Sequence, residues 1–405
     1  MKEPVFYEPF GAPGAGDNVF TTADPKLHSL LRRTMANSFS RKSILEFEPQ
    51  IWDTANKMTS VLQREFANRP RNVNVSSMLR CMMLDVISVF AFGKDMGALD
   101  KEGFAEEVLT AFNNFDTSNF MFQGSPRLRQ ILLPILSNIP IDNFQAVTRM
   151  LAKVDEQLAK ISLTDKSSSA LLKGTMESRE KMGLPVTKLI LRQEGLGAIF
   201  AGTDTTAISL TYGTWAILSN EAIRSKLTEE LRTVWAHREE HPSLNTLEGL
   251  PYLQACVKES LRYATSVSGR LPRVVGEGGL SVQNYNLPPG TVVSSSNYLM
   301  HFDEDVFPQP FVFDPSRWHT GDVAALKLRN RHLVPFSEGS RRCVGMNLAQ
   351  AEMYITLASI FRWFKAVEVV DKEIRGHRIL TTAVPDGVWA KVASIKDEVE
   401  RESSY

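Results

Sequence analysis

The chain has 405 residues, of which 43% are hydrophobic, so it is long enough to bury a large core in one or two domains. Its 46 basic and 46 acidic side chains balance, which excludes a bulk electrostatic attraction to nucleic acid or to an anionic membrane. The three cysteines are far apart and form no Cys-x-x-Cys pair, which argues against a disulfide framework or a zinc site of that type and fits a reducing compartment.

Helical periodicity dominates the chain, because apolar residues recur at three- and four-residue spacing over most of its length. In the last third, short β-branched runs separated by Gly and Pro predict strands and turns. No repeat and no linker divides the chain, so we expect a single domain over residues 1–405 that is mainly α with a small β portion. The predicted helices are Pro25–Asn37, Ile44–Asn68, Met78–Phe92, Gly103–Phe115, Asn143–Ile161, Val186–Asn220, Glu221–Ala236, Tyr252–Tyr263 and Gly345–Phe364, and the predicted strands are Leu271–Val275, Leu280–Val282 and Thr291–Tyr298.

The start of the sequence does not resemble a secretory signal, and no segment is a charge-free run of about 20 apolar residues. The nearest such run, Gly195–Leu218, contains Asp204 and several threonines, and we interpret it as a buried helix. We therefore expect an intracellular protein with no transmembrane segment in this chain.

Cys343 lies between glycines in the run Phe336–Gly345, behind Arg341 and Arg342 and just before a predicted helix. The glycines allow a tight loop, and the positive end of the helix and the two arginines favour a thiolate over a thiol. A thiolate in such a loop is either a nucleophile or a metal ligand. The loop alone does not decide between them.

The middle of helix Val186–Asn220 contains Ala-Gly-Thr-Asp-Thr-Thr over residues 201–206, flanked by apolar side chains. A glycine, an acid and β-branched alcohols lower helix propensity and are costly to bury. One interpretation is a local kink in which threonine hydroxyls bond to main-chain oxygens of the preceding turn. The other is a groove where Asp204 and Thr205 handle protons beside a ligand. The sequence alone favours the two about equally.

Glu259 and Arg262 are three residues apart on one helical face, which is usually a surface pair worth about 0.2–0.5 kcal/mol. Arg317, between a proline and a tryptophan, is a candidate third partner. His28 and Arg32, four apart on a helix, are singly more typical of a solvated face than of a ligand site.

His237 to His241 match the H-x-x-E-H pattern of inverted zinc peptidases, in which both histidines must share a helical face. Pro242 follows directly and disfavours helical geometry at His241. We therefore expect an exposed loop there rather than a metal site.

Taken in chain order, these segments resemble the cytochrome P450 family of haem-thiolate monooxygenases. Ser268–Arg273 and the stretch around Gly202 are similar to the fungal branch that oxidises terpenoids and other secondary metabolites. The family's haem loop, F-x-x-G-x-R-x-C-x-G, is complete at Phe336, Gly339, Arg341, Cys343 and Gly345, and A-G-x-D-T-T, E-x-x-R and P-x-R-W are complete at residues 201–206, 259–262 and 315–318.

The resemblance implies a haem b group whose iron takes the Cys343 thiolate as its axial ligand. It implies that Asp204 and Thr205 deliver protons and that Gly202 leaves room above the haem. The other cofactor-binding residues that it implies are the haem-loop residues Phe336, Gly339 and Gly345 and the propionate-binding cations His28, Arg32, Arg273 and Arg341. It also implies a buried ion triad of Glu259, Arg262 and Arg317.

The activity implied is the insertion of one oxygen atom from O2 into a hydrophobic small molecule, by hydroxylation or epoxidation. Electrons would come from NADPH through a flavoprotein reductase. The docking surface that we expect for the reductase is the basic cluster Lys327, Arg329, Arg331, His332 and Arg342, although a solvated loop is the alternative.

Only 27 residues precede His28. In the family, a membrane anchor, early helices and the first strands of the main sheet normally come before this helix, and members are usually anchored to the endoplasmic reticulum membrane. We therefore expect an N-terminally shortened P450 fold that lacks these parts. The alternative is a truncated, non-catalytic haem-binding remnant. A P450-fold isomerase or dehydratase is less favoured, because such relatives tend to lose the acid–alcohol pair.

Overall fold

A computed structural model describes residues 1–7, 18–106, 108, 109, 112, 131, 132, 135, 142–159, 169–371, 374 and 387–395. Over these residues helices dominate and strands are short, which confirms a mainly α fold with a small β portion. The helices are α1 (Pro4–Tyr7), α2 (Pro25–Met35), α3 (Arg41–Glu65), α4 (Val75–Phe92), α5 (Asp142–Ala159), α6 (Ala170–Lys181), α7 (Lys188–Ser219), α8 (Glu221–Arg232), α9 (Leu244–Glu248), α10 (Pro251–Ala264), α11 (Asn297–His301), α12 (Val323–His332) and α13 (Met346–Trp363).

Helix α7 lies at the centre of the fold. Its first turn is capped by Thr187, whose Oγ1 accepts a hydrogen bond from Ile190 N at 3.3 Å. It ends before Asn220, whose side chain caps the next helix by accepting from Ile223 N at 3.2 Å. The helix packs along α4 and against α10. A long, apolar and mostly buried helix therefore carries residues 201–206 into the interior.

Helix α4 is long and apolar enough to cross a membrane by composition, yet 83% of it is buried inside the protein. It packs between α3 and α7. Its buried Asp85 accepts hydrogen bonds from the N–H groups of Ala98 and Leu99 at 2.9 and 3.0 Å. These contacts identify α4 as a core helix, and the carboxylate anchors the chain that follows it.

The strands form small antiparallel sheets. In the largest, of order β1-β7-β6, Val73 pairs with Ala390 and Phe364 with Ser394, so this sheet joins distant parts of the chain. In a second sheet β2 pairs with β5, and in a third β3 pairs with β4. The strands are β1 (Val73–Asn74), β2 (Arg273–Val274), β3 (Leu280–Val282), β4 (Tyr285–Leu287), β5 (Val292–Val293), β6 (Phe364–Val369) and β7 (Trp389–Ser394).

The predicted helices are found with ends that shift by a few residues, except for Gly103–Phe115. That prediction is wrong at its start, because Glu102–Phe104 is a 3-10 turn in which Gly103 has φ of 61°. Residues 107, 110, 111 and 113–115 of the stretch lie outside the described residues. The predicted strand Thr291–Tyr298 is too long. Its second half begins α11, since the Ser296 side chain accepts from Tyr298 N at 3.2 Å and caps that helix.

Candidate functional site

Cys343 lies at the end of a tight loop that leads into α13. Gly339 has φ of 76°, a left-handed conformation that favours glycine, at the start of a 3-10 turn. The Cys343 main-chain N–H donates to Phe336 O at 2.9 Å and closes the loop. The helix begins at Met346. The loop therefore holds the sulfur close to the amino end of a buried helix, as its glycines predict.

The surroundings of Cys343 act on the pKa of its thiol in opposite directions. Solvent reaches the side chain, yet protein surrounds it, and this burial raises the pKa of the thiol. A main-chain N–H and the guanidinium groups of Arg32 and Arg342 lower the pKa, but burial outweighs them. Arg341 instead donates to Thr22 O at 2.9 Å. The main-chain N–H and the arginine charges therefore act in the predicted direction, and a bound metal cation would favour the thiolate further.

Cations from three parts of the chain meet beside this loop. His28 is 5% exposed, and burial followed by the charges of Arg341, Lys2 and Arg32 lowers its pKa to about 4. Arg341 and Arg273 both act on the pKa of Lys2, so Arg273 belongs to the same group. Among the described residues no carboxylate forms an ion pair with any of these side chains. Asp24 gives Arg341 a partial counter-charge, and the remaining positive charge fits an anionic ligand.

Arg32 occupies a different place from the other predicted cations. Its Nη1 donates to Arg342 O at 2.6 Å. It also lines a cleft of about 560 Å³ together with Phe336 and Gly339 of the loop. Arg32 therefore connects α2 to the chain segment that carries Cys343, and its charge acts on the sulfur.

Asp204 and Thr205 are neighbours in α7 but have separate partners. Arg80 on α4 holds Asp204 in a bidentate pair, with Nε–Oδ1 and Nη2–Oδ2 distances of 2.8 and 3.0 Å. Thr205 Oγ1 donates to Ala201 O at 2.7 Å. Ala201 is exposed although most of the surrounding helix is buried. Ala201 and Thr205 are therefore at least partly exposed on α7, while Asp204 is directed to α4.

Gly202 lies at the contact between α7 and α4. A Cβ at this position would lie 2.7 Å from Cγ1 and 2.9 Å from Cδ1 of Ile87 on α4. Because real Cβ contacts are longer, the glycine is required by the close approach of two helices. This packing reason stands beside the expectation that Gly202 leaves room above a ligand, which stays a prediction.

The predicted ion triad is present, and its members are buried. Arg262 donates to both oxygens of Glu259 at 2.7 and 2.9 Å, and both side chains are fully buried. Arg317 Nε lies 3.4 Å from Glu259 Oε1. Trp318 Nε1 donates to Glu259 Oε2 at 2.9 Å, a contact that the sequence did not reveal. The remaining Arg262 N–H groups donate to main-chain oxygens, including His301 O at 2.9 Å.

Several functional candidates were missed in the sequence: Arg80, Lys2, Trp318 and Glu352. Arg80 is separated from Asp204 by 124 residues, and no motif marks it. The only available signal was an arginine within a mainly apolar helix, because a largely buried arginine requires a partner. Trp318 was part of a recognised motif, but its indole N–H was not assigned a partner.

The zinc-peptidase alternative finds no support. His241 stacks on Trp52 with ring centroids 4.2 Å apart, beyond the end of α8. Over the part of the chain that the structure describes, no three His, Cys, Asp or Glu side chains are arranged to hold a metal ion. Phe112 is buried and contacts Phe200 of α7 with ring centroids 5.1 Å apart.

Comparisons with known proteins agree with one another. The cytochrome P450 family model matches residues 2–386. The chain is 31% identical to cytochrome P450 monooxygenase macH of Penicillium terrestre, covering 90% of this chain and 72% of the relative. It is 31% identical to monooxygenase aneF of Aspergillus aculeatus, covering 92% and 77%. It is also 31% identical to N-acetyltryptophan 6-hydroxylase ivoC of Emericella nidulans, covering 87% and 70%.

A solved structure, the cytochrome P450DA heme domain, superimposes with a TM-score of 0.80 at 18% identity. The match covers 98% of this chain and 84% of that chain. It shows that the two chains share a fold.

Proposed function

The chain belongs to the cytochrome P450 family and is a monooxygenase of that family, and from this premise we propose that it hydroxylates or epoxidises a hydrophobic small molecule, a terpenoid or another fungal secondary metabolite. The observation that carries the proposal is the loop that presents Cys343 beside a group of unpaired cations. The fungal relatives, one of them named a hydroxylase of N-acetyltryptophan, support a substrate of this class.

The residues around Cys343 fit a haem b group. A haem requires an axial ligand on one face and compensation of two propionate charges at one edge. Cys343 is solvent-accessible and would be the axial ligand. Arg273 and Arg341 would bind the propionates, because charge-assisted bonds to carboxylates are the strong ones. His28, whose pKa of about 4 leaves it neutral in the haem-free chain, would donate a hydrogen bond beside them. When bound, the haem supplies the redox chemistry for oxygen insertion.

We propose that Thr205 handles protons in the reaction. Its hydroxyl hydrogen is directed to Ala201 O, so the oxygen keeps lone pairs for accepting a hydrogen bond. Both oxygens of Asp204 are occupied by Arg80. Asp204 therefore has to leave this ion pair before it can pass a proton to Thr205. Because Arg80 holds Asp204 in place, we propose that Arg80 is a positioning residue.

A flavoprotein reductase that carries electrons from NADPH is the partner that we propose. Lys327, Arg331 and Arg342 are exposed and offer positive charge on the Cys343 side. Arg329 differs from them, because its guanidinium donates to Arg317 O at 2.8 Å and serves the fold. An acidic surface on the reductase would complement the three exposed cations.

The decisive experiment is the spectrum of the reduced protein exposed to carbon monoxide. A thiolate-ligated haem gives a strongly red-shifted Soret band, and Cys343→Ala should abolish that band. A histidine-type spectrum, or no haem uptake, would contradict the proposal. Product formation with NADPH, reductase and O2 then separates the monooxygenase from the non-catalytic haem-binding remnant, which the named relatives do not favour.

We also propose that residues 1–405 act as a single domain. The main hydrophobic cluster includes residues from Met35 to Val392, so distant parts of the chain share one core.

A further inference from the structure

Arg80 on α4 contacts two parts of the chain at once. Its Nε and Nη2 bind Asp204 of α7, and the same Nη2 donates to Leu109 O at 3.2 Å. Leu109 N in turn donates to Glu106 O at 3.1 Å, so Arg80 lies against a turn that begins at Glu106. The other terminal nitrogen of the guanidinium, Nη1, takes part in none of these bonds. Arg80 therefore reaches both α7 and the turn of residues 106–109, and it has a further donor nitrogen.

Glu106 brings a second carboxylate to this place. Its side chain is fully buried, and its Oε1 accepts from Val108 N at 3.0 Å and from the ammonium group of Lys153 on α5. Its Oε2 is also buried, yet it has no hydrogen-bond partner among the described residues. A buried carboxylate oxygen without a partner is costly, so it favours any donor that can reach it.

The charges of Glu106 and Arg80 lie near the same sulfur atom. Burial and the charge of Glu106 raise the pKa of the Cys81 thiol, and the charge of Arg80 lowers it. Cys81 follows Arg80 directly on α4. The unoccupied Oε2 of Glu106 is therefore an acceptor in the neighbourhood of the Arg80 guanidinium.

The proposed proton route requires such an acceptor. Asp204 has to leave Arg80 before it can pass a proton to Thr205. The Arg80 side chain is only 16% exposed, and an arginine that loses its counter-charge in such surroundings is strongly destabilised. Asp204 can therefore separate from Arg80 more easily when another carboxylate binds the guanidinium.

We propose that Glu106 is a positioning residue whose Oε2 binds the Arg80 guanidinium when Asp204 turns toward Thr205. Arg80 then alternates between two carboxylates, of which the structure shows the pair with Asp204. The inference rests on the proposed function. It extends the proton-handling site to the turn of residues 106–109 and, through the pair of Glu106 with Lys153, to α5.

Urea unfolding tests whether Arg80 has two alternative partners. Asp204→Ala and Glu106→Gln each leave Arg80 one carboxylate, whereas the double variant leaves it none. The double variant should therefore raise the unfolding equilibrium constant roughly tenfold or more beyond the product of the two single effects. In an Arg80→Gln chain, which has no charge to compensate, the same two substitutions should combine as a simple product. A simple product in both chains would overturn the inference.

Crystal structures of the variants give a readout that does not depend on stability. In the Asp204→Ala protein, the Arg80 guanidinium should lie within hydrogen-bond distance of Glu106 Oε2. The control is Glu102→Gln, at an exposed position just before the turn, which should leave the pair of Arg80 and Asp204 unchanged. An Arg80 side chain that turns to solvent in the Asp204→Ala protein would overturn the inference.

The rate of NADPH oxidation by the haem-loaded protein with reductase and O2, measured in H2O and D2O, tests the link to proton transfer. Glu106→Gln should slow the oxidation several-fold and increase the solvent isotope effect, because Asp204 is then released from Arg80 less often and the proton step limits the rate. Glu102→Gln should change neither. Slowing by Asp204→Ala but not by Glu106→Gln would overturn the inference and leave the proposed function standing. An unchanged rate in Asp204→Ala would overturn the proposed role of Asp204 and the inference with it.

Discussion

Two threonines of α7 form the same hydrogen bond but face different surroundings. Thr203 Oγ1 donates to Ile199 O at 2.8 Å and is fully buried. Thr205 Oγ1 donates to Ala201 O at 2.7 Å and is partly exposed. At the scale of single residues, the pair offers a matched comparison of a structural and a proposed catalytic hydroxyl.

We predict that Thr205→Ala changes the free energy of unfolding by less than about 1 kcal/mol, because the side chain is partly exposed. It should lower the product formed per O2 consumed several-fold, since the hydroxyl that handles protons is lost. Thr203→Ala is the control: it should cost stability yet leave the coupling of oxygen use to product unchanged. Equal uncoupling in both variants would indicate distortion of the helix instead of a role for the Thr205 hydroxyl.

Glu352 on α13 is a buried acid outside the ion pairs of the described residues. It is 1% exposed, and its Oε1 has no hydrogen-bond partner. Burial raises the pKa of the carboxyl well above its ordinary value of 4.5, and a hydrogen bond from Thr206 opposes the shift only in part. The folded chain therefore keeps this carboxyl protonated at pH values where the unfolded chain has lost the proton.

The sign of the pH dependence follows from that raised pKa. The contribution of Glu352 to stability is fully present below about pH 4.5 and is lost as the pH rises toward the folded-state pKa. Glu352→Gln should therefore be more stable than the native chain at neutral pH, with an advantage that grows by up to about 1.4 kcal/mol per pH unit above 4.5. Urea unfolding from pH 4 to 8 measures it. A pH-independent difference would show that the carboxyl ionises in the folded chain.

At the scale of elements, the contact between α4 and α7 depends on Gly202. A Cβ added at Gly202 would lie 2.7 Å from Cγ1 of Ile87 and 3.2 Å from Cβ of Ile87. Shortening Ile87 to alanine would therefore relieve most of the contact. This gives a direct test of the packing reason for the glycine.

We predict that Gly202→Ala lowers the free energy of unfolding by about 1–3 kcal/mol, because the added methyl group forces the helices apart. Ile87→Ala alone should also destabilise, by leaving a cavity. The double variant should lose less than the sum of the two, a non-additivity that denaturant unfolding detects. Strict additivity would mean that the two residues do not compete for the same space.

The helices and strands that could be predicted are those with enough apolar residues to show a regular spacing along the sequence. Helix α6 (Ala170–Lys181) was missed because charged and small residues interrupt its apolar positions, although Ser169 caps it. The two-residue strand β1 has no periodicity of its own and exists because it pairs with β7. Pairing across most of the chain is a tertiary effect that local patterns do not contain.

At the scale of the whole molecule, the sequence predicts those parts of the site whose residues lie within one short segment. The loop of Cys343 and the Glu259–Arg262 pair could be predicted because their geometry follows from spacing within one segment. The partners of these residues come from elsewhere: Arg80 reaches Asp204 from α4, and Lys2 reaches Arg273 from the first residues. Their identities depend on which helices and strands the fold brings together.

The buried ion cluster connects α10 to the loop of Cys343 through a histidine. Arg262 donates to His301 O, and His301 Nε2 accepts from Val334 N at 3.0 Å, just before the loop. Burial, followed by the charge of Arg262, lowers the pKa of His301 to about 3, so the ring is neutral and its Nε2 can accept. Glu259, although far from Cys343 in sequence, therefore supports the segment that positions it.

We predict that Glu259→Gln lowers the free energy of unfolding by about 3–5 kcal/mol, because two buried arginines lose their counter-charge. Amide hydrogen exchange should accelerate roughly 100-fold or more in α10 and, to the same extent, at Val334, since both belong to one cooperative unit. Glu229→Gln, at an exposed position on α8, is the control and should stay within about 0.5 kcal/mol of the native chain. Faster exchange in α10 with unchanged exchange at Val334 would show that the cluster stabilises its own helix without supporting the loop of Cys343.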